Sequence, residues 1–156
     1  MRRWAWALLA LILLAVIGVL GWQQLRGTTP ANWIATDDRT VLAQGREVYD
    51  RYCASCHGAN LEGQPDWTKR LPSGRMPAPP HDPSGHTWHH PSEQLFGIVK
   101  DGVEPYAPPG YQSDMPGFDG TLSDGEIRAV LAYIRSTWPE DVQRRHQARE
   151  RAMQGG

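Results

Sequence analysis

Cysteine is almost missing from this chain: among 156 residues there are only Cys53 and Cys56. No second pair is left to build a rival cysteine framework. Strand-like alternation of apolar and polar residues is also missing around these two. A redox pair of the thioredoxin type would want a βαβ context there. Basic charge is scarce in the body of the chain. From Asp37 to Trp138 there are 14 acidic and 9 basic side chains, so about −5, and every acidic residue lies beyond the N-terminal apolar run. An acidic body gives no reason to expect a nucleic-acid partner; a protein with a basic patch is the better electrostatic match. What the chain has in quantity is 13 prolines and 16 glycines, which predict a loop-rich fold. Its length suits one ordinary domain with appendages.

The two cysteines sit in Cys53-Ala54-Ser55-Cys56-His57, followed by Gly58. A three-residue spacing puts both thiols on one side of a helical turn, and a histidine directly after can swing under whatever they hold. This is the attachment pattern of a c-type haem, with each sulfur on one vinyl group and the imidazole on the iron. The competing readings are a simple disulfide and a zinc site. Zinc needs two further ligands, and the nearest source is the cluster His81, His86, His89 and His90.

Met1-Arg2-Arg3 forms a positive head, and the run Trp4–Trp22 is unbroken and apolar. As a helix rising about 1.5 Å per residue it spans roughly 28 Å, close to the ~30 Å hydrocarbon core of a bilayer. Trp4, Trp6 and Trp22 fall near its ends, where indoles prefer the headgroup layer. No A-x-A cleavage site follows, so an uncleaved signal-anchor is favoured over a removed signal peptide. Arg2 and Arg3 hold the amino end in the cytoplasm. The rest of the chain is expected on the periplasmic or outer face of a bacterial inner membrane, crossed once. Residues 23–36 read as a polar tether, with Trp33 and Ile34 touching either the membrane surface or the domain.

From an N-cap at Asp37 or Asp38, the residues Val41, Leu42, Gly45, Val48, Tyr49 and Tyr52 form one face of a helix running into Cys53. The prolines Pro72, Pro77, Pro79, Pro80 and Pro83 exclude regular helix and predict a long loop of fixed course. A short helix is expected from Pro91-Ser92-Glu93 to Asp101-Gly102. A second loop, 105–120, carries Tyr106, Tyr111, Met115 and Phe118. Ser123-x-x-Glu126 is a capping box opening a last helix with Ile127, Val130, Leu131, Ile134 and Trp138 on one face and Pro139 at its end. Gly45 should let this helix approach beside Val130 or Tyr133. Residues 139–156 are polar and arginine-rich, without an apolar stripe. They are expected to be a solvated helix or a frayed tail.

A helix ending in C-x-x-C-H-G, a proline-rich wrap, a Met-Pro-x-Phe loop (Met115-Pro116-Gly117-Phe118) and a capped last helix together resemble class I cytochrome c over residues 37–138. The domain is most similar to the small membrane-anchored modules of bacterial respiratory chains, including those serving haem–copper oxidases. The resemblance implies an all-α fold with crossed N- and C-terminal helices and loops wrapping one haem c. It implies covalent bonds at Cys53 and Cys56, with His57 as axial ligand and Met115 in the position of the second. Met76, in Arg75-Met76-Pro77, is an alternative needing a tight return, and Trp67, Arg75 and Trp88 are candidate donors to the propionates. A thioether opposite an imidazole raises the reduction potential and closes the iron to substrate. The function implied is single-electron transfer with a membrane oxidase or dehydrogenase, as a carrier and not an enzyme. Two other classes remain: a haem enzyme or sensor with an open or bis-histidine iron, and a metal-handling protein built on the histidine cluster.

Overall fold

The computed structural model describes residues 33–154, and every regular element among them is helical. Helix α1 (Arg39–Tyr52) begins where the Asp38 carboxylate accepts the Thr40 N–H at 2.8 Å. A single turn, α2 (Ala54–His57), follows directly. Helix α3 (Ser92–Asp101) stops at Gly102, whose φ of 88° few other residues adopt. Helix α4 (Asp124–Ser136) opens on the expected capping box. Ser123 Oγ accepts from the Glu126 N–H at 3.3 Å, while the Glu126 carboxylate accepts from the Ser123 N–H at 2.8 Å. Helix α5 (Glu140–Gln154) closes the described chain. Among these residues no helix is long and apolar enough to cross a membrane, and the run Trp4–Trp22 lies outside them.

The core is the seam between α1 and α4. Tyr49 and Val48 from α1 meet Ile127, Val130, Leu131 and Ile134 from α4, with Leu61, Leu95 and Trp138 around them. Gly45 makes the seam possible, because a Cβ there would stand 2.0 Å from the Ala129 carbonyl oxygen and 2.8 Å from Tyr133 Cβ. The approach is thus to Tyr133, one of the two positions suggested by spacing, and to Ala129 in place of the neighbouring Val130.

Contacts at the two ends of the described chain go further than the sequence reading. The tether ends earlier: Ile34 is buried in the core, and Trp33 meets Phe96 edge-on at 5.8 Å with the Arg128 guanidinium over its ring at 4.7 Å. Residues 33–36 therefore belong to the domain. The polar tail is a helix, as one of the two readings expects, but it is not solvated all round. Pro139 opens α5, where its missing N–H costs nothing, and Val142, His146 and Glu150 recur every fourth residue as a buried face. Glu150 accepts from both the backbone N–H (2.6 Å) and the hydroxyl of Ser92. Its carboxylate thereby satisfies the buried first backbone donor of α3 and complements that helix's positive end.

Between α2 and α3 the chain has no regular helix beyond a 3-10 turn at Thr87–His89, yet its course is fixed. The His81 N–H donates to the Leu61 carbonyl at 2.8 Å and the Gln64 N–H to Ala78 at 2.9 Å, closing residues 61–81 into a loop with joined ends. Gly63, at φ 71°, lets the two ends touch, since a Cβ would lie 2.5 Å from the Pro80 nitrogen.

Candidate haem-attachment site

The turn holding Cys53, Cys56 and His57 is built from α1 outward. Its first thiol comes as the helix ends, with the Cys53 N–H still bonded to Tyr49 at 2.9 Å. Tyr49 then reaches under the turn, its hydroxyl donating to the Gly58 carbonyl at 2.8 Å and lying 3.3 Å from that of His57. Burial, and after it the nearby Cys53 thiol, push this phenol's pKa up, so it stays a donor. The Gly63 N–H also donates to the His57 carbonyl at 2.8 Å, which ties the loop to the turn.

Both cysteines are free thiols; Cys56 is exposed and Cys53 partly buried. Burial, then the neighbouring Cys56, raise the Cys53 pKa to about 11, so this thiol is held protonated rather than as a reactive thiolate. His57 is buried and its pKa is lowered by that burial, against which the Pro79 bond works in the opposite direction. The neutral ring donates from Nδ1 to the Pro79 carbonyl at 2.8 Å, which leaves the Nε2 lone pair free to accept or to ligate. Two thiols one turn apart and an oriented neutral imidazole directly after them suit covalent attachment and axial ligation of haem.

The loop of Met115 is brought to this turn by its own neighbours. Phe118 meets Tyr52 edge-on at 6.2 Å, one residue before Cys53. The Phe118 N–H donates to Val99 at 3.0 Å, and Gly117 lies so close to the end of α3 that a Cβ would sit 2.9 Å from the Lys100 carbonyl oxygen. Met115 is half-buried, its N–H bonded to Ser113 Oγ at 3.0 Å. An ion pair between Arg75 and Asp114 joins the segments of Met76 and Met115, so both thioethers come from adjoining stretches. That pair occupies Arg75, one of the three candidate propionate donors. Trp67 stacks on His86 at 5.4 Å, whereas the Trp88 indole N–H is buried without a hydrogen-bond partner, as a donor to an absent acceptor would be.

The histidines do not form a metal centre. Among the described residues no group of three or more His, Cys, Asp or Glu side chains is placed to hold an ion. His89 sits on Trp88 at 3.6 Å and beside Arg149 at 3.2 Å, and His90 lies 3.3 Å from Gln94. His81 stacks on His57 at 4.0 Å. Two rings face to face at that distance leave no space for an iron and its porphyrin plane between them, so His81 is not placed to ligate from the opposite side. Sequence reasoning missed this stack, and the Tyr49 brace with it.

An all-helical fold wrapped by loops around such a turn is the architecture of a c-type haem protein. Residues 42–138 match the cytochrome c family, and the chain belongs to that family. Family membership implies covalently bound haem c. Over 92 residues the chain is 35% identical to the cytochrome bc1 complex cytochrome c subunit of Mycobacterium bovis, covering 49% of this chain and 31% of that protein. It is 37% identical over 84 residues to the subunit of that name from Mycobacterium leprae, covering 46% and 28%. Cytochrome c-555 of Prosthecochloris aestuarii is 34% identical over 67 residues, 39% of this chain and 68% of that protein. The chain thus spans about a third of the length of the bc1-complex subunits it matches. No solved structure matches it.

Proposed function

We propose that this chain is a membrane-tethered, monohaem electron carrier on the periplasmic face of a bacterial inner membrane. In this reading Cys53 and Cys56 would hold the haem by thioether bonds, and His57 and Met115 would be the residues that ligate its iron. When bound, the haem supplies a one-electron ferric/ferrous couple. The observation that carries the reading is the neutral His57 imidazole, tied by Nδ1 to Pro79 and set directly behind two free thiols.

The remaining work falls to the protein. Tyr49 and Gly63 fix the carbonyls of the attachment turn, and Pro79 fixes the imidazole, so the site is preorganised. Met115 is favoured over Met76 because the Phe118–Tyr52 contact sets its loop beside Cys53. Its thioether would favour the reduced state of the iron and exclude exogenous ligands. The Trp88 indole N–H is the donor best suited to a propionate, being buried and unpartnered. Trp4–Trp22 would serve as the anchor and residues 23–32 as the tether, which confines the domain to nearby membrane complexes and raises their effective concentration. The named relatives favour a bc1-type respiratory complex as the redox partner.

The test compares Met115→Ala with Met76→Ala in the haem-loaded full-length chain. Met115→Ala lowers the reduction potential and lets the ferrous protein bind carbon monoxide, while Met76→Ala does neither. Carbon monoxide binding after loss of Met76 instead would transfer the ligand role to that residue.

A further inference from the structure

Two imidazoles lie at the end of the attachment turn, and the proposed function uses only one. The second, His81, lies face to face with His57, ring centroids 4.0 Å and planes 23° apart. It is held from several directions. Its N–H bonds to Leu61 at 2.8 Å, and its carbonyl accepts the Trp138 indole N–H at 2.7 Å. Its ring Nδ1 pairs with Thr87 Oγ1 at 2.8 Å, and Tyr49 stands edge-on to it at 6.3 Å. Thr87 is itself buried, and Trp138 is backed edge-on at 5.4 Å by His146 of α5, beyond the segment that matches the family.

A single hydrogen bond from Nδ1 to Pro79 fixes the direction of the His57 ligating atom but leaves rotation of the ring about that line weakly restrained. A flat ring held at van der Waals distance against its face removes this freedom. We propose that His81 is a positioning residue which sets the plane of the axial His57 imidazole, with Thr87 and Trp138 holding His81 in place. The proposal rests on His57 being the iron ligand. His81 acts through its stack on His57 alone.

The readout is the electron paramagnetic resonance spectrum of the oxidised, haem-loaded full-length chain, whose g-values report the orientation of the axial ligands. His81→Leu removes the flat face and should shift and broaden the largest g-value, while His81→Phe, which restores a flat ring, should return it close to the parent. A well-folded His81→Leu protein with unchanged, sharp g-values overturns the proposal, because a space-filling role would affect only stability. Should His81→Leu fail to take up haem, Thr87→Val keeps the ring and cuts its side-chain tie; broadening then supports the proposal and an unchanged spectrum defeats it. His57→Ala separates the two levels. If it leaves the low-spin spectrum intact, the ligand assignment and this proposal fall together. If it abolishes that spectrum while His81→Leu is silent, only the positioning role fails.

Discussion

Adding one methyl group to two different glycines should change stability in opposite directions. At Gly45 the new Cβ would stand 2.0 Å from the Ala129 carbonyl oxygen, 2.6 Å from its carbon and 2.8 Å from Tyr133 Cβ. Ordinary contacts between such atoms lie at about 3.5 Å, so α1 and α4 must separate by roughly 1 Å or more along the seam that forms the core. The obstacle is backbone, which cannot swing away, so the cost belongs at the upper end of the usual 1–3 kcal/mol for overpacking. Alanine recovers about 1 kcal/mol of helix propensity, leaving a net loss of about 2 kcal/mol for Gly45→Ala. At roughly 4 °C per kcal/mol for a domain of this size, the unfolding temperature should fall by about 8 °C. Gly125 is exposed in the first turn of α4, and its Cβ would meet only Ser123 Oγ, at 3.9 Å. There the propensity gain stands alone, so Gly125→Ala should raise the midpoint by about 2–4 °C. Thermal unfolding of the haem-loaded chains, followed by far-ultraviolet circular dichroism, reads both values. A Gly45→Ala protein as stable as the parent would refute the seam, and a fall of similar size at Gly125 would show that the loss has another cause.

Acid should destabilise the domain through its buried neutral histidines. His146 is fully buried between Trp138, Arg135 and Glu150, and burial lowers its pKa despite the opposing pull of Glu150. A depressed pKa means that the unfolded chain binds the proton more readily, so the stabilisation is complete above 6.5 and is lost as pH falls from there through the folded value. The slope is at most about 1.4 kcal/mol per pH unit for each such group, and urea midpoints between pH 7.5 and 5 should fall less steeply in His146→Gln than in the parent. Electron transfer to the redox partner should slow as ionic strength rises, because the acidic body is steered toward a basic patch. Stopped-flow rates that are flat or climb with salt would remove the steering argument.

Local signals carried well from sequence to structure. The Ser123–Glu126 capping box, the α3 stop at Gly102 and the stripe leading from Asp38 into Cys53 depend on residues within a few positions of one another. What escaped was contact between distant, polar positions. Helix α5 has a buried face, but two of its three members are His146 and Glu150, so the stripe does not register as apolar. That carboxylate is buried because it caps α3 at Ser92, 58 residues earlier. Arg75 looked free for a propionate until the fold set it against Asp114. The stack of His81 on His57 likewise needs the 61–81 loop to close, which no periodicity reports.

The most direct measurement is mass spectrometry of the tryptic peptide 52–69, taken from the denatured full-length protein after thiol alkylation. Attachment at Cys53 and Cys56 predicts a peptide heavier by one haem, with neither cysteine alkylated, because thioether bonds survive denaturation. A coloured protein whose peptide 52–69 is recovered without haem and with both cysteines alkylated would contradict it.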